Sequence, residues 1–201
     1  MSAITFREPS LDDARRILDW RTSPRVAAQM RTRIDDNLAQ QKLWLEDCAR
    51  RDDYHHWLIL ISGEPVGMLN VGPWDWRGNI APWGFYVGEA SFLGLGGMIP
   101  PYLYNWLFFE VGLGSLTADV LDDNLDVLDL HRFHGYQVDR IASVETHLDR
   151  LSLTEGSLVH LRLERDAWRK RPRLHRLRAD FPVSNPCPEL ARRLAMRAQE
   201  R

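Results

Sequence analysis

Ser91-Phe92-Leu93-Gly94-Leu95-Gly96-Gly97 lies between a run with strand character, Ile80 to Val87, and an aromatic-rich helical run that reaches Glu110 or Val111. Glycines at such a junction let the backbone turn sharply and come close to a ligand. The N–H groups of a helix start, reinforced by the helix dipole, suit a phosphate. Pro100 and Pro101 fit only in the first helical turn, where a missing N–H costs little. An anion cradle here would therefore draw on Leu95, Gly96, Gly97, Met98 and Ile99. A Walker loop is excluded because no Lys follows the glycines. A dinucleotide fingerprint is excluded because they follow hairpin strands instead of opening a parallel βαβ unit. Taken alone, the stretch is equally a glycine-rich turn that holds nothing.

Working outward, Ile4-Thr5-Phe6 reads as a first strand, and Ser10 with Asp13 resembles a capping box ahead of the helical spacing Leu11, Ala14, Ile17, Leu18. Asn37 caps a second helix with Gln41, Trp44, Leu45 and Cys48 on one side. Trp57 to Ile61 is a buried strand, Ser62-Gly63-Glu64-Pro65 a turn, and Val66 to Val71 the return strand of a hairpin. After the glycine helix, stopped by Gly112 and Gly114, come a strand from Leu116 to Leu121 and a helix from Asn124 to Gly135. Two further strands follow, Tyr136 to Glu145 and Ser157 to Leu163, with Val159, Leu161 and Leu163 on one face of the latter. Hairpins first and strand–helix units later indicate a mixed α/β sheet.

The 201 residues allow one domain with a sizeable core, and 44% hydrophobic with 27% charged residues is ordinary globular composition. No apolar run approaches the length of a membrane span, and the N-terminus lacks the sections of a signal peptide. Cys48 and Cys187 make neither a disulfide framework nor a metal cluster, so a reducing cytoplasm is expected and no metal. Charge is uneven. Residues 165–201 hold eleven Lys/Arg against four Asp/Glu, or +7, leaving −9 on residues 1–164. The domain is therefore placed at 1–164, with 165–201 as a basic, proline-containing extension outside the core. An acidic body argues against nucleic acid as the main partner.

Downstream of the glycines, Asn124-x-x-Val127-x-x-Leu130-His131-x-x-x-Gly135-Tyr136 follows a strand and a short acidic turn. The two motifs together resemble the GNAT superfamily, whose pattern is an Arg/Gln-x-x-Gly-x-Gly/Ala loop, a helix, a strand and then Asn-x-x-Ala-x-x-Leu-Tyr-x-x-x-Gly-Phe. Ser91 stands where Arg or Gln is usual, and His131 where Tyr is usual. The resemblance implies a mixed, mostly antiparallel twisted sheet of six to seven strands flanked by about four helices. It also implies transfer of an acetyl group from acetyl-CoA to an amine by direct attack. Leu18-Asp19-Trp20-Arg21-Thr22-Ser23-Pro24, Met30 and Trp44-Leu45-Glu46-Asp47 look like amino-sugar N-acetyltransferases of the pseudaminic acid pathway, a pattern shared in large part by ribosomal-protein alanine N-acetyltransferases. The acceptor this implies is a nucleotide-linked amino sugar. The alternatives are a protein N-terminus, or a non-catalytic acyl-CoA binder that kept the fold; a homodimer stays open.

In the family the adjacent parallel strands splay and coenzyme A enters the gap. That places the pantetheine beside Phe85, Tyr86 and Val87, and the pyrophosphate beside Gly94, Leu95, Gly96, Gly97 and Met98. Asn124 touches the carrier while capping its helix. His131 takes the position of the general acid, a role its near-neutral titration suits, and the plain alternative is local packing. Asp119 and Asp122 flank a strand end as candidate bases, though carboxylates there are commonly solvated. Arg21 suits bidentate contact with a diphosphate or stacking on Trp20. Met30 and Trp83 complete the acceptor side, and core packing accounts equally well for the tryptophan.

Overall fold

A computed structural model describes residues 4–30, 32–149 and 152–199. One sheet holds seven strands: β1 (Ile4–Arg7), β2 (His55–Ile61), β3 (Glu64–Val71), β4 (Ile80–Val87), β5 (Ser115–Leu121), β6 (Gln137–Asp149) and β7 (Ser152–Glu164). Their order is β1-β2-β3-β4-β5-β7-β6, and among the described residues β4–β5 is its one parallel contact. This is the mixed, mostly antiparallel sheet that the resemblance implies.

Among the described residues seven α-helical segments, where about four are expected, cover its two faces: α1 (Ala14–Thr22), α2 (Pro24–Ala28), α3 (Leu38–Arg50), α4 (Pro100–Asn105), α5 (Leu125–His134), α6 (Arg165–Arg169) and α7 (Pro188–Gln199). Three of the predicted caps are present, at Ser10–Asp13, Asn37 and Gly135. Asp13 accepts from the Ser10 N–H at 2.8 Å and is held by Arg7. Asn37 Oδ1 accepts from the Gln40 N–H at 3.0 Å, and Gly135 closes α5 in the left-handed region at φ +97°.

Strand alternation divides the core. On one face Ala14, Ile17 and Trp20 of α1 and Leu45 of α3 pack on Leu58 and Met68. On the other, Trp57, Leu69, Trp83, Leu116 and Leu161 meet Leu103, Tyr104 and Leu107 of α4 and the π-helical turn Trp106–Val111 that continues it.

The segment from Arg165 onward is not an appendage. Trp168, Phe181 and Leu190 are at most 5% exposed within the main core. Trp168 Nε1 donates to Asn105 Oδ1 at 2.8 Å, and Trp57 Nε1 donates to the Pro182 carbonyl at 2.7 Å. Most of its arginines are exposed, but Arg193 lies over the Trp76 ring and donates to Asn79 Oδ1 at 3.0 Å, while isolated aromatic residues reach into the core. The family resemblance thus ends short of the folded unit.

Candidate active site

The pairing of β4 with β5 lasts three positions, Ile80 with Ser115, Ala81 with Leu116 and Pro82 with Thr117. Beyond these both strands continue, to Val87 and Leu121, and diverge around a cleft of about 1210 Å³. Ladder alternation determines which main-chain groups point into it. The Gly72 N–H bonds the Pro82 carbonyl at 2.9 Å and the Gly88 N–H bonds the Val66 carbonyl at 2.7 Å. In the register of β3 on β4, Gly84 and Tyr86 therefore direct their N–H and C=O toward β3. Trp83, Phe85 and Val87 direct theirs into the gap. From the Asp122 N–H on the Ser157 carbonyl, 2.9 Å, the same count turns Asp119 and Leu121 of β5 toward the gap. Buried main-chain groups require partners, and an extended amide-containing chain laid between the strands would supply them.

The glycine segment borders the same cleft through Gly96 and Gly97. It does not open an α-helix directly. Residues Ala90–Met98 wind as a 3-10 coil, and α4 begins only at Pro100. Bonds in such a coil run to the carbonyl three residues back, and the Ile99 N–H is spent on Gly96 O at 3.2 Å. Several amides expected to be free are thus internally engaged, and holding an anion requires them to be shared or the coil to unwind locally. The glycines themselves are not demanded by the fold. A Cβ on Gly94 would meet nothing within 4 Å, one on Gly96 only Val87 Cγ2 at 3.7 Å, and neither has positive φ. Space above them is what their small size leaves open.

His131 borders the cleft but is 3% exposed. Its Nδ1–H donates to the Val127 carbonyl at 2.7 Å, its Nε2 has no partner, and its ring stacks on Trp83 at 5.7 Å. Burial lowers its pKa. A neutral ring protonated at Nδ1 presents a bare lone pair at Nε2, so in this state His131 has no proton to donate. Asn124 lines the cleft, yet its side chain makes no capping bond to α5; the capping expected of it is absent and the amide is left to the cleft. Asp119 lines the cleft and accepts from His160 Nδ1 at 2.6 Å, a cross-strand pair between β5 and β7. Asp122 is exposed in the turn beyond β5 and does not border the cleft. Tyr102 and Tyr104 do not border it either.

On the α1–α3 face of the sheet stand Arg21, Met30 and Tyr86, all bordering the cleft. Arg21 donates to the Thr32 carbonyl at 3.1 Å, and among the described residues no carboxylate pairs with it. Burial lowers its pKa, with only the nearby Tyr86 acting the other way. Tyr86 has a buried hydroxyl without a partner. Trp83 is 5% exposed, and its indole N–H is spent on the Tyr136 hydroxyl at 2.6 Å, so it serves as a wall of packed aromatic rings. Sequence reasoning misses His160, although its place opposite the apolar face of Val159, Leu161 and Leu163 is a usable signal. It misses the Tyr86 hydroxyl because nothing local marks it as unpartnered.

Among the described residues no group of three or more His, Cys, Asp or Glu could hold a metal ion, and no helix is long and apolar enough to cross a membrane. No curated protein matches the sequence. Solved structures share the fold. The spermidine N-acetyltransferase from Vibrio cholerae in complex with CoA and spermine superposes with TM-score 0.73 at 10% identity, over 82% of this chain and 97% of that one. Aminoglycoside acetyltransferase AAC(6')-Ib in complex with coenzyme A gives 0.66 at 18% identity, over 85% and 99%. A probable acetyltransferase gives 0.71 at 17% identity, over 84% and 99%. The first two are polyamine and aminoglycoside enzymes, so the amino-sugar and ribosomal-protein subgroups expected from the sequence find no support among these structures. The acetyltransferase (GNAT) domain model matches residues 3–137. With the splayed parallel pair, this match makes the chain a member of the GNAT acetyltransferase family, an acyltransferase whose co-substrate is acetyl-CoA.

Proposed function

We propose that this acetyltransferase moves the acetyl group of acetyl-CoA onto the amino group of a small molecule that also carries an anionic group, with a nucleotide-linked amino sugar as the leading acceptor. One observation supports the acceptor class above all: Arg21, drawn partly out of water, has no carboxylate partner among the described residues. A desolvated cation without a countercharge is costly, and a phosphate or carboxylate of the acceptor would offset that cost. Arg25 borders the cleft as well, and Arg33 and Asp35 beside it each have a partner. Such lining is poorly suited to a polycation.

The carrier fits the site by its chemistry. The main-chain groups of Trp83, Phe85 and Val87 face Asp119 and Leu121 across the gap, where an amide-bearing pantetheine arm can bond them. Gly94 to Met98 and Asn124 then adjoin its diphosphate end. Coenzyme A supplies an activated thioester, and the protein's part is to hold the amine against it and manage two protons. Asp119, oriented by His160, accepts the proton of the attacking ammonium directly or through water. With His131 lacking a proton at Nε2, the buried Tyr86 hydroxyl is the group able to donate to the departing thiolate.

Thiol release from acetyl-CoA, followed with UDP-linked amino sugars, N-terminal peptides and uncharged amines, tests this. Arg21→Gln is expected to raise KM for phosphate-bearing acceptors by about 10- to 150-fold, the worth of one charge-assisted hydrogen bond, and to leave uncharged amines unchanged. An equal effect on both classes would remove the anion-binding role. Saturable binding of acetyl-CoA with no turnover on any amine would favour a binder without catalysis.

A further inference from the structure

The cleft extends past the splay, along the α1–α3 face, to a polar cluster that neither the acyl transfer nor the anion site uses. Its walls are Gln41 and Trp44 of α3, His56 of β2 and Asn70 of β3, with Tyr54 just ahead of β2. Asn70 Nδ2 donates to the Tyr54 hydroxyl at 2.6 Å, and that pair is satisfied. Gln41 and His56 are not: Gln41 Nε2 and His56 Nδ1 are buried without partners, and both side chains border the cleft. Buried polar groups are almost always bonded, so two orphans on facing elements of one cleft point to a partner from outside the chain. Trp44 lies beside them, 39% exposed, with its ring 4.9 Å from that of His56 in an edge contact. A flat ring adjoining hydrogen-bonding groups is a platform for another ring.

We propose that Gln41, Trp44 and His56 form a subsite that takes an uncharged, hydrogen-bonding ring of the acceptor, a sugar or nucleobase ring, and rejects an ammonium group. The inference rests on the acceptor reading above. The charges support it. Arg21 and Arg25 border this end of the cleft, and beside them Arg33 and Asp35 each already have a partner. His56 is uncharged at neutral pH, its pKa pushed down to about 3 by burial, with Arg51 and His55 adding to the effect. Neutral donors and acceptors match hydroxyl or base edges, whereas an ammonium group would meet the guanidinium groups of Arg21 and Arg25.

The test uses the full chain saturated with coenzyme A and titrated, by NMR, with uridine, methyl glucoside and spermine. Binding of uridine or methyl glucoside, with shifts at α3 and β2, supports the subsite, and the tighter binder identifies the ring. His56→Phe should weaken that binding tenfold or more, and His56→Gln, which keeps a hydrogen-bonding group, should restore most of it. Because the Nδ1 orphan is removed, His56→Phe should also raise Tm by a few degrees. A purely structural histidine would lower it instead. Gln41→Leu provides the same comparison should His56→Phe fail to fold. The proposal is overturned if neither neutral ring binds, if spermine is the ligand that His56→Phe expels, or if ring binding is untouched while Tm falls. Failure of the unaltered protein to bind coenzyme A would remove the transferase reading itself, a distinguishable outcome.

Discussion

Gly96→Ala separates what the glycine coil does for the fold from what it does for the carrier. The added Cβ would meet only Val87 Cγ2 at 3.7 Å, an ordinary contact, and the backbone there has no positive φ. Alanine is therefore compatible with the structure. Replacing a glycine at such a position stabilises by about 0.4–1 kcal/mol through the unfolded chain. For a domain of this size that raises Tm by roughly 1–4 °C. Over the coil the consequence is reversed. If a diphosphate lies against these amides, the methyl group displaces one charge-assisted hydrogen bond, worth about 1.5–3 kcal/mol, and Kd for coenzyme A rises about 10- to 150-fold. Gly94→Ala, whose Cβ meets nothing within 4 Å of protein, is a second probe along the same coil. Calorimetric titration with coenzyme A and thermal melts of each variant provide both quantities. A Tm that rises while affinity stays within twofold of the parent would refute the assignment of this coil to the diphosphate.

Asp119→Asn should lower kcat by about 10²-fold or more, the usual range for losing a general base, with the Kd for coenzyme A unchanged; an unaltered rate in steady-state kinetics removes Asp119 from that role. Tyr86→Phe should slow thiol release more than it weakens carrier binding, and His131→Phe should do neither; a large drop in kcat for His131→Phe would restore the histidine as acid. Burial pushes His56 down to about 3 and His134 down to about 4. Both stay neutral when folded and take up a proton on unfolding below about pH 6.5, so the unfolded state binds more protons and stability falls as pH drops from that value toward the folded pKa. At pH 5 each of these two histidines costs about 2 kcal/mol relative to pH 7, so together they contribute about 4 kcal/mol to the loss seen in urea unfolding; a flat profile would contradict their burial as neutral groups.

The central strands are legible in the sequence from their apolar runs, and the helix from Asn124 to Gly135 from its apolar period and the glycine that closes it. Asn37 and Gly135 act at the helix ends as their residue types require. The basic tail misleads because its composition is dominated by solvated arginines and prolines. Its contribution to the core rests on single residues, Trp168, Phe181 and Leu190, too far apart to form a periodic pattern. At the glycine junction Gly96 and Gly97 border the cleft, but the run is a 3-10 coil and not the helix start expected, since nothing in glycine spacing distinguishes three residues per turn from a helix start. His131 is visible by position. Its engaged Nδ1 and its burial arise from Val127, Trp83 and Tyr136, which only the folded chain brings together. Asp119 and Asp122 are indistinguishable in the sequence, and strand direction separates them, one into the cleft and the other into the exposed turn.

Residue-resolved amide hydrogen exchange along β4, with and without coenzyme A, tests most directly whether the open seam of the sheet receives the carrier. Because Gly84 and Tyr86 already bond β3 while Phe85 and Val87 face the gap, added coenzyme A should slow exchange at Phe85 and Val87 and leave Gly84 and Tyr86 nearly unchanged. Equal protection on all four residues, or none on the odd-numbered pair, would contradict the account.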